Sequence, residues 1–300
     1  MTQAGCDMVT SRDEIEEKHR ALSSGVARLK GLLPSLRAAE RRVAAYIVAN
    51  TSEVVYLSIT ELAERSEASE ATVSRLCRRL GFRGYQELKI ALAVSTLPES
   101  KQLYEAATGA DDGWTICAKV FQATTRGLED TLKILDRADL DTAIDRLARA
   151  RRIEWYGVGG SAAVAKDAHH KFLKTGIPTS FYEDPHMQVM SAALLTPEDV
   201  VVAVSYSGSN KDIYDSLAEA HKRGVFTILI TGFARCPLAK MCDITLWVSA
   251  GETFKSESLR SRIAQLCLLD SLYIGVMLKR GNDGLGSLRL TREAVAGKRF

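Results

Sequence analysis

Residues 201–211 read VVAVSYSGSNK and follow directly on Val200. The run Val200–Val204 is apolar at every position, so neither side of it is meant for water. A strand of that kind belongs inside a parallel sheet covered on both faces. It then delivers Ser205, Ser207, Gly208, Ser209, Asn210 and Lys211 to one spot, and a helical pattern follows from Asp212 to Arg223. In open α/β sheets, ligands bind beyond the carboxyl ends of the strands. A helix N-terminus there offers unpaired N–H groups and partial positive charge, which suits an anion. Gly208 lets the backbone come close, Ser205, Ser207 and Asn210 can donate hydrogen bonds, and Lys211 adds charge. A phosphate monoester has three terminal oxygens to satisfy, and the loop has about that many donors.

Working outward, RIEWYGV (152–158), PTSFY (178–182), VFTILIT (225–231) and DITLWV (243–248) are further short β-rich runs, most of them separated by helix-like segments. Alternating strands and helices predict a doubly wound α/β domain with a five-stranded parallel sheet. EWYGVGGSAAVAKDAHHKF (154–172) repeats the strand, glycine turn, helix order. Ser161 reaches the same crevice if its strand neighbours 200–204. A rival reading exists, because Gly157-x-Gly159-x-x-Ala162 fits a relaxed dinucleotide fingerprint with Glu183 as the ribose acid. Against it, Glu183 lies past the expected ~20 residues from the glycines, and a dinucleotide leaves the serine-rich second loop unexplained.

The first hundred residues have different grammar. They are helical in pattern, with Val43, Tyr46 and Ile47 on one face of AERRVAAYIVAN (39–50). In LSITELAERSEASEATVSRLCRRLGFRGYQELK (57–89), Ser58 and Glu61 have capping-box spacing. Ser69 caps a second helix, and Gly81 sits where a C-terminal cap needs positive φ, with Phe82 folding back. Two short helices joined by a tight turn make a helix-turn-helix. The N-terminal part of the second helix enters the major groove in this motif, so Ser69, Glu70, Ala71, Ser74 and Arg75 stand nearest base edges. Arg78, Arg79, Arg83 and Lys89 are placed for phosphates. The competing reading is a solvated face. Local charge argues for DNA: residues 75–89 hold five cations and one acid, in a chain of 300 residues with net charge +3.

Between the halves, TLPESKQLYEAATGADDG (96–113) reads as a linker or hinge, and 114–150 as two helices leading into the sheet. The expected boundaries are 24–100 for the helix-turn-helix domain, 101–143 for linker and lead-in helices, and 144–284 for the sheet domain. The N-terminus mixes acids and bases without an apolar core, and no apolar run reaches the ~18 residues that span a bilayer. The expectation is a cytoplasmic protein with no membrane partner. Six cysteines without a CxxC pair are expected to be reduced and mostly buried. No His/Cys/Asp spacing suggests a metal, and no cofactor is expected.

ERRVAAYIVAN, SITELAE and SEATVSRLCRRLGFRGYQELK resemble the N-terminal domain of RpiR/MurR-type bacterial transcriptional regulators. One departure is Glu67-Ala68 in the turn, where the family often has Gly-Val; it argues against a positive-φ residue there. GVGGSA, SYSGSNKD, ITG (230–232) and ETFKSESLRSRIAQLCLLDSLY resemble the sugar isomerase (SIS) domain, a phosphosugar-binding fold. That resemblance implies that Ser161, Ser205, Ser207 and Asn210 hold a phosphate, Asn210 standing where the family usually has Thr or Ser. It offers His186 and Glu252 for the sugar hydroxyls, with a surface or capping role as the alternative for each. The resemblance also implies a homodimer or tetramer. The two halves together are expected to make a regulator of carbohydrate metabolism that binds double-stranded operator DNA under control of a sugar phosphate. The alternative is a phosphosugar isomerase with an accessory domain. Isomerisation needs a base, for which Glu183, Glu252, Glu257, His169, His170 and His186 are available; no catalytic residue is assigned.

Overall fold

The computed structural model describes residues 29, 32, 33, 36–96, 108–249 and 259–298. The chain divides into two compact units between Thr108 and Gly109.

The first unit is all helical: α1 (Ala38–Ala49), α2 (Thr51–Val54), α3 (Ile59–Arg65), α4 (Glu70–Arg79) and α5 (Tyr85–Thr96). α3 starts where the sequence says. Ser58 Oγ accepts from Glu61 N (3.1 Å) and Glu61 Oε2 accepts from Ser58 N (2.7 Å), the reciprocal capping box. Val43, Ile47, Leu62, Val73, Leu76 and Leu88 are buried together and form one core.

Both helices of the α3–α4 pair end in the same way. After α4, Phe82 N donates to Cys77 O (3.0 Å) and Gly81 N to Arg78 O (3.0 Å), with Gly81 at φ 87°. After α3, Ala68 N donates to Ala63 O (2.8 Å) and Glu67 N to Glu64 O (3.1 Å), with Glu67 at φ 50°. Each is a Schellman cap, whose hydrogen bonds require a left-handed residue whatever its type. The expectation drawn from Glu67 is therefore corrected: the positive φ is kept, and a glutamate bears a strain of about 1 kcal/mol that glycine avoids. Arg42 Nη2 braces the carbonyl of Glu67 (2.6 Å).

The second unit begins with α6 (Gly113–Ile134) and α7 (Arg137–Arg149), the two expected lead-in helices. The sheet unit proper follows as β1 (Ile153–Gly157), α8 (Gly160–Phe172), β2 (Thr179–Tyr182), α9 (Pro185–Ala192), β3 (Val200–Val204), α10 (Lys211–Lys222), β4 (Phe226–Thr231), β5 (Ile244–Trp247) and α11 (Leu259–Ala296). All five strands pair in parallel in the order β2-β1-β3-β4-β5. Side-chain alternation splits each central strand between two cores. Val200, Val202, Val204, Ile228 and Ile230 pack with Leu147, Phe172, Leu268 and Leu272 of α7, α8 and α11. Val201, Ala203 and Leu229 pack with Ile213, Leu217 and Ala192 of α10 and α9. Burying each valine contributes roughly 1.5–3 kcal/mol, so the β3 run has no lower-energy place than the middle of the sheet.

α11 kinks at Gly281, where φ is 52° and ψ −121°. Its stretch from Ser261 is long and apolar enough to cross a membrane by length and composition, so the expectation of no such run needs correcting. Leu268, Leu269, Leu272 and Val276 spend that apolarity on the sheet core. Among the described cysteines Cys77 and Cys236 are buried, Cys242 is half-buried, and Cys117 and Cys267 are exposed, so the expectation of mostly buried thiols holds only in part; none is in a disulfide.

Candidate phosphate cradle and DNA-reading helix

β1 and β3 lie side by side in register, with Gly157 opposite Val204, so their carboxyl ends come level. From there α8 leaves toward one core and α10 toward the other. A crevice opens where neighbouring strands send their connections to opposite faces, which is the switch point that binds ligands in such sheets. The condition set for Ser161 is met, and the first turn of α8 carries it to the same edge. The glycine turn before it is tight. A Cβ on Gly157 would stand 2.8 Å from Ser161 O, and Gly159 has φ 59°.

The serine loop is braced from below. Gly208 N donates to Ser205 O (3.1 Å), Leu238 N to Gly208 O (3.0 Å), Gly232 N to Tyr206 O (2.9 Å) and Thr231 Oγ1 to Tyr206 O (3.1 Å). The segment after β4 thus fixes the loop against the end of the sheet. Ser205 is only 5% exposed as a residue; its hydroxyl makes no hydrogen bond among the described residues and is not fully buried, so the oxygen still meets solvent. Ser207 Oγ receives a long bond from Ser209 N (3.4 Å). Asn210 caps α10 through Oδ1, which accepts from Ile213 N (2.9 Å), leaving its amide N–H groups as donors. Lys211 differs from expectation. Its ammonium lies on Asp215 (2.7 Å), one turn along α10, so its charge is already paired away from the loop.

His186 is exposed on the first turn of α9, and Glu183 is exposed just past β2. Glu252 and Glu257 lie outside the described residues. His169 is half-buried, with Nδ1 3.5 Å from Thr179 Oγ1, and burial lowers its pKa; it sits over β2 as a packed ring. One residue escapes any sequence pattern. Arg262 of α11 places Nη2 3.0 Å from where a Cβ on Gly160 would be, which sets a guanidinium at the mouth of the first loop. No group of three or more His, Cys, Asp or Glu among the described residues could hold a metal.

In the first unit α4 is capped by Ser69, whose Oγ accepts from Thr72 N (3.2 Å). Ala71, Arg75, Arg78, Arg79 and Arg83 are exposed and Ser74 is half-exposed. Glu70 accepts a hydrogen bond from Thr60 Oγ1 (2.6 Å), tying α4 to α3. Arg79 reaches back to the buried Glu40 of α1 (2.9 Å), so part of its role is to seat α4. Lys89 is a correction. It is 1% exposed, with Nζ donating to Leu57 O (2.6 Å) and lying 5.5 Å from the Tyr85 ring centre. It is inside the core and cannot meet a phosphate.

Burial lowers the Lys89 pKa from 10.5 to about 7, with Glu61 opposing the shift. Between those values the unfolded chain holds the proton and the folded unit does not, so stability rises with pH across that window. Lys89→Met is expected to flatten that rise in urea unfolding curves taken from pH 7 to 10. It should leave the salt dependence of DNA binding unchanged, whereas loss of a phosphate contact lowers the salt slope by about 1.

Comparison with known proteins agrees with this geometry. Residues 24–98 match the helix-turn-helix domain of the rpiR family, and residues 146–275 match the SIS domain. The chain is 37% identical to an uncharacterized HTH-type transcriptional regulator of Caldanaerobacter subterraneus, over 92% of this chain and 98% of the relative. The chain belongs to the RpiR family of helix-turn-helix transcriptional regulators. Another member, the HTH-type transcriptional regulator HexR of Pseudomonas aeruginosa, is 35% identical over 91% of this chain and 95% of its own length. The structure of Vibrio vulnificus NanR complexed with ManNAc-6P superposes with a TM-score of 0.78 at 30% identity, covering 92% of this chain and 99% of NanR. The RpiR match places α3 and α4 in the DNA-binding domain and the β1/β3 crevice in the SIS domain.

Proposed function

We propose that the SIS domain of this RpiR-family regulator holds the phosphate of a phosphorylated sugar or sugar acid in the β1/β3 crevice, and that occupancy sets the operator affinity of α4. The observation that carries this is the convergence of the Ser161 turn and the Ser205–Asn210 loop at the level carboxyl ends of β1 and β3, beside the N-terminus of α10. Ser161, Ser207, Gly208 and the Asn210 amide complete the anion's shell, and Arg262 supplies the charge that Lys211 gives to Asp215. His186 stands at the rim for the sugar end. The sugar phosphate bound by NanR belongs to the class that such a crevice admits. Coupling to DNA follows from linkage. An effector alters operator affinity only by binding two arrangements of the protein unequally, and ~1–3 kcal/mol of coupling gives ~5–150-fold.

The regulator works in the cytoplasm, where its operator lies, and as a homodimer or tetramer. Two exposed apolar faces support assembly: Phe121, Leu132, Ile274 and Leu278 on α6 and α11, and Met187, Met190 and Tyr214 on α9 and α10 with Leu194 just past α9. They cover opposite faces of the sheet, so one suffices for a dimer and both for a tetramer.

The test is a thermal-shift screen with ManNAc 6-phosphate, glucose 6-phosphate and fructose 6-phosphate against the same sugars unphosphorylated. A ligand at ~100 times its Kd stabilises by ~2.7 kcal/mol. We expect stabilisation by at least one phosphorylated sugar, none by its parent sugar, and loss of the effect in Ser205→Ala. Incubation of the same panel should give no isomer; steady turnover would favour an isomerase instead.

A further inference from the structure

α9 is seated in an unusual way. Its outward positions Met187 and Met190 are apolar and exposed, as is Leu194 just past its end, while its inward positions include Gln188 and Ser191. Ser191 Oγ donates to Glu154 Oε1 (2.7 Å), and Tyr156 donates to the other oxygen of that carboxylate (2.7 Å). Gln188 is 0% exposed and uses both ends of its amide. Nε2 donates to Tyr182 O (2.8 Å) and to Gly157 O (3.3 Å), and Oε1 takes the long arm (3.3 Å) of a Ser216 hydroxyl that it shares with Asp212 O (2.9 Å).

The three partners are not an arbitrary set. Gly157 is the last residue of β1 and the first of the glycine turn that presents Ser161. Tyr182 is the last residue of β2, two residues before the cap of α9, which carries His186. Ser216 lies on α10, whose N-terminus is the serine loop. One side chain therefore bonds to β1, β2 and α10, three of the elements around the crevice. Apolar contact is non-directional, whereas hydrogen bonds hold their partners to a few tenths of an ångström and a narrow range of angle. An apolar residue at 188 would fill the space without fixing the distances between the loops.

We propose that Gln188 is a positioning residue of the effector crevice, holding the glycine turn, the start of α9 and α10 in the one arrangement that lets their donors converge on an anion. The proposal rests on the effector reading given above. It acts through Ser161, the serine loop and His186, and touches no ligand itself.

The test uses the full chain and inorganic phosphate, titrated by 31P NMR, followed by whichever sugar 6-phosphate stabilises the wild type. Gln188→Met keeps the volume and loses both donors and the acceptor. Gln188→Glu keeps the shape but turns a double donor into an acceptor facing two carbonyls. Both are expected to bind phosphate at least tenfold more weakly than wild type, Gln188→Glu the weaker, while DNA affinity without effector stays unchanged. Val276→Ala, a cavity in the opposite core, controls for general destabilisation and is expected to bind phosphate normally. A space-filling role predicts that Gln188→Met binds within twofold of wild type, and that result overturns the proposal, as does an equal loss in Val276→Ala. If Gln188→Glu fails to fold, Gln188→Met decides alone. Absence of any phosphate or sugar-phosphate binding by the wild type sinks the effector reading itself, and this inference with it.

Discussion

Arg75→Ala combined with Arg78→Ala is expected to lower operator affinity by about a hundredfold or more while leaving sugar-phosphate affinity unchanged. Both side chains are exposed on α4, and among the described residues only Arg75 of the two has a hydrogen-bond partner, Thr72 Oγ1 at 3.1 Å. Their removal therefore costs the fold little. The two losses differ in kind. On the docking general to this motif Arg75 would stand nearest base edges, and a lost base contact costs ~1–3 kcal/mol and relaxes sequence preference. On the same docking Arg78, about a turn further on, would face the phosphate backbone, so its loss is expected to weaken all sequences alike and lower the salt slope by about 1. Fluorescence anisotropy with an operator fragment selected by the wild-type protein, repeated at several salt concentrations, separates them in the single variants. A double variant that binds operator within threefold of wild type would place the DNA-reading surface elsewhere. Arg79 makes a poorer test, because cutting its ion pair with Glu40 also loosens α4 from α1.

The sheet was legible in the sequence because a strand buried on both faces must be apolar at every position, as Val200–Val204 is. The capping box at Ser58 and Glu61 was legible because its whole chemistry lies within four residues. The cradle was half legible. Ser205 and Ser207 belong to one continuous loop, but Ser161 joins them only because β1 and β3 are neighbours. Lys89 was misread because its spacing suits a surface cation, and its burial is set by a carbonyl 32 residues earlier. The pairing of Lys211 was there to be read locally: Asp215 lies four residues on, the spacing of a helical ion pair. Glu67 shows tertiary geometry overriding residue preference, since the cap that turns α3 into α4 sets φ before the side chain has a say. Arg262 has no local signature because it reaches the first loop from α11, and Gln188 has none because two of its partners, Gly157 and Ser216, lie 31 and 28 residues away.

The larger effect on regulation is expected from Gly208→Ala. Two independent constraints meet at this glycine. Its φ of 59° lies in the left-handed region, where a side chain costs roughly 1–2 kcal/mol. An added Cβ would also lie 2.6 Å from Cys236 Cβ and well inside contact with its Sγ. Cys236 is fully buried and cannot swing aside, and the Leu238 N–H bond to Gly208 O holds the two segments together. The loop must therefore lift away from its brace, taking Ser205 and Ser207 out of line with the N-terminus of α10. Effector affinity should fall at least tenfold, ~1.4 kcal/mol, measured by calorimetry with the sugar phosphate that stabilises the wild type. Operator binding without effector should persist, so the variant reports as a regulator blind to its metabolite. Cys236→Gly in the same chain removes the clash but not the φ penalty, and should restore part of the lost affinity. Full effector response in Gly208→Ala alone would mean that the anion is held by other groups, and the serine loop would lose its place at the centre of the site.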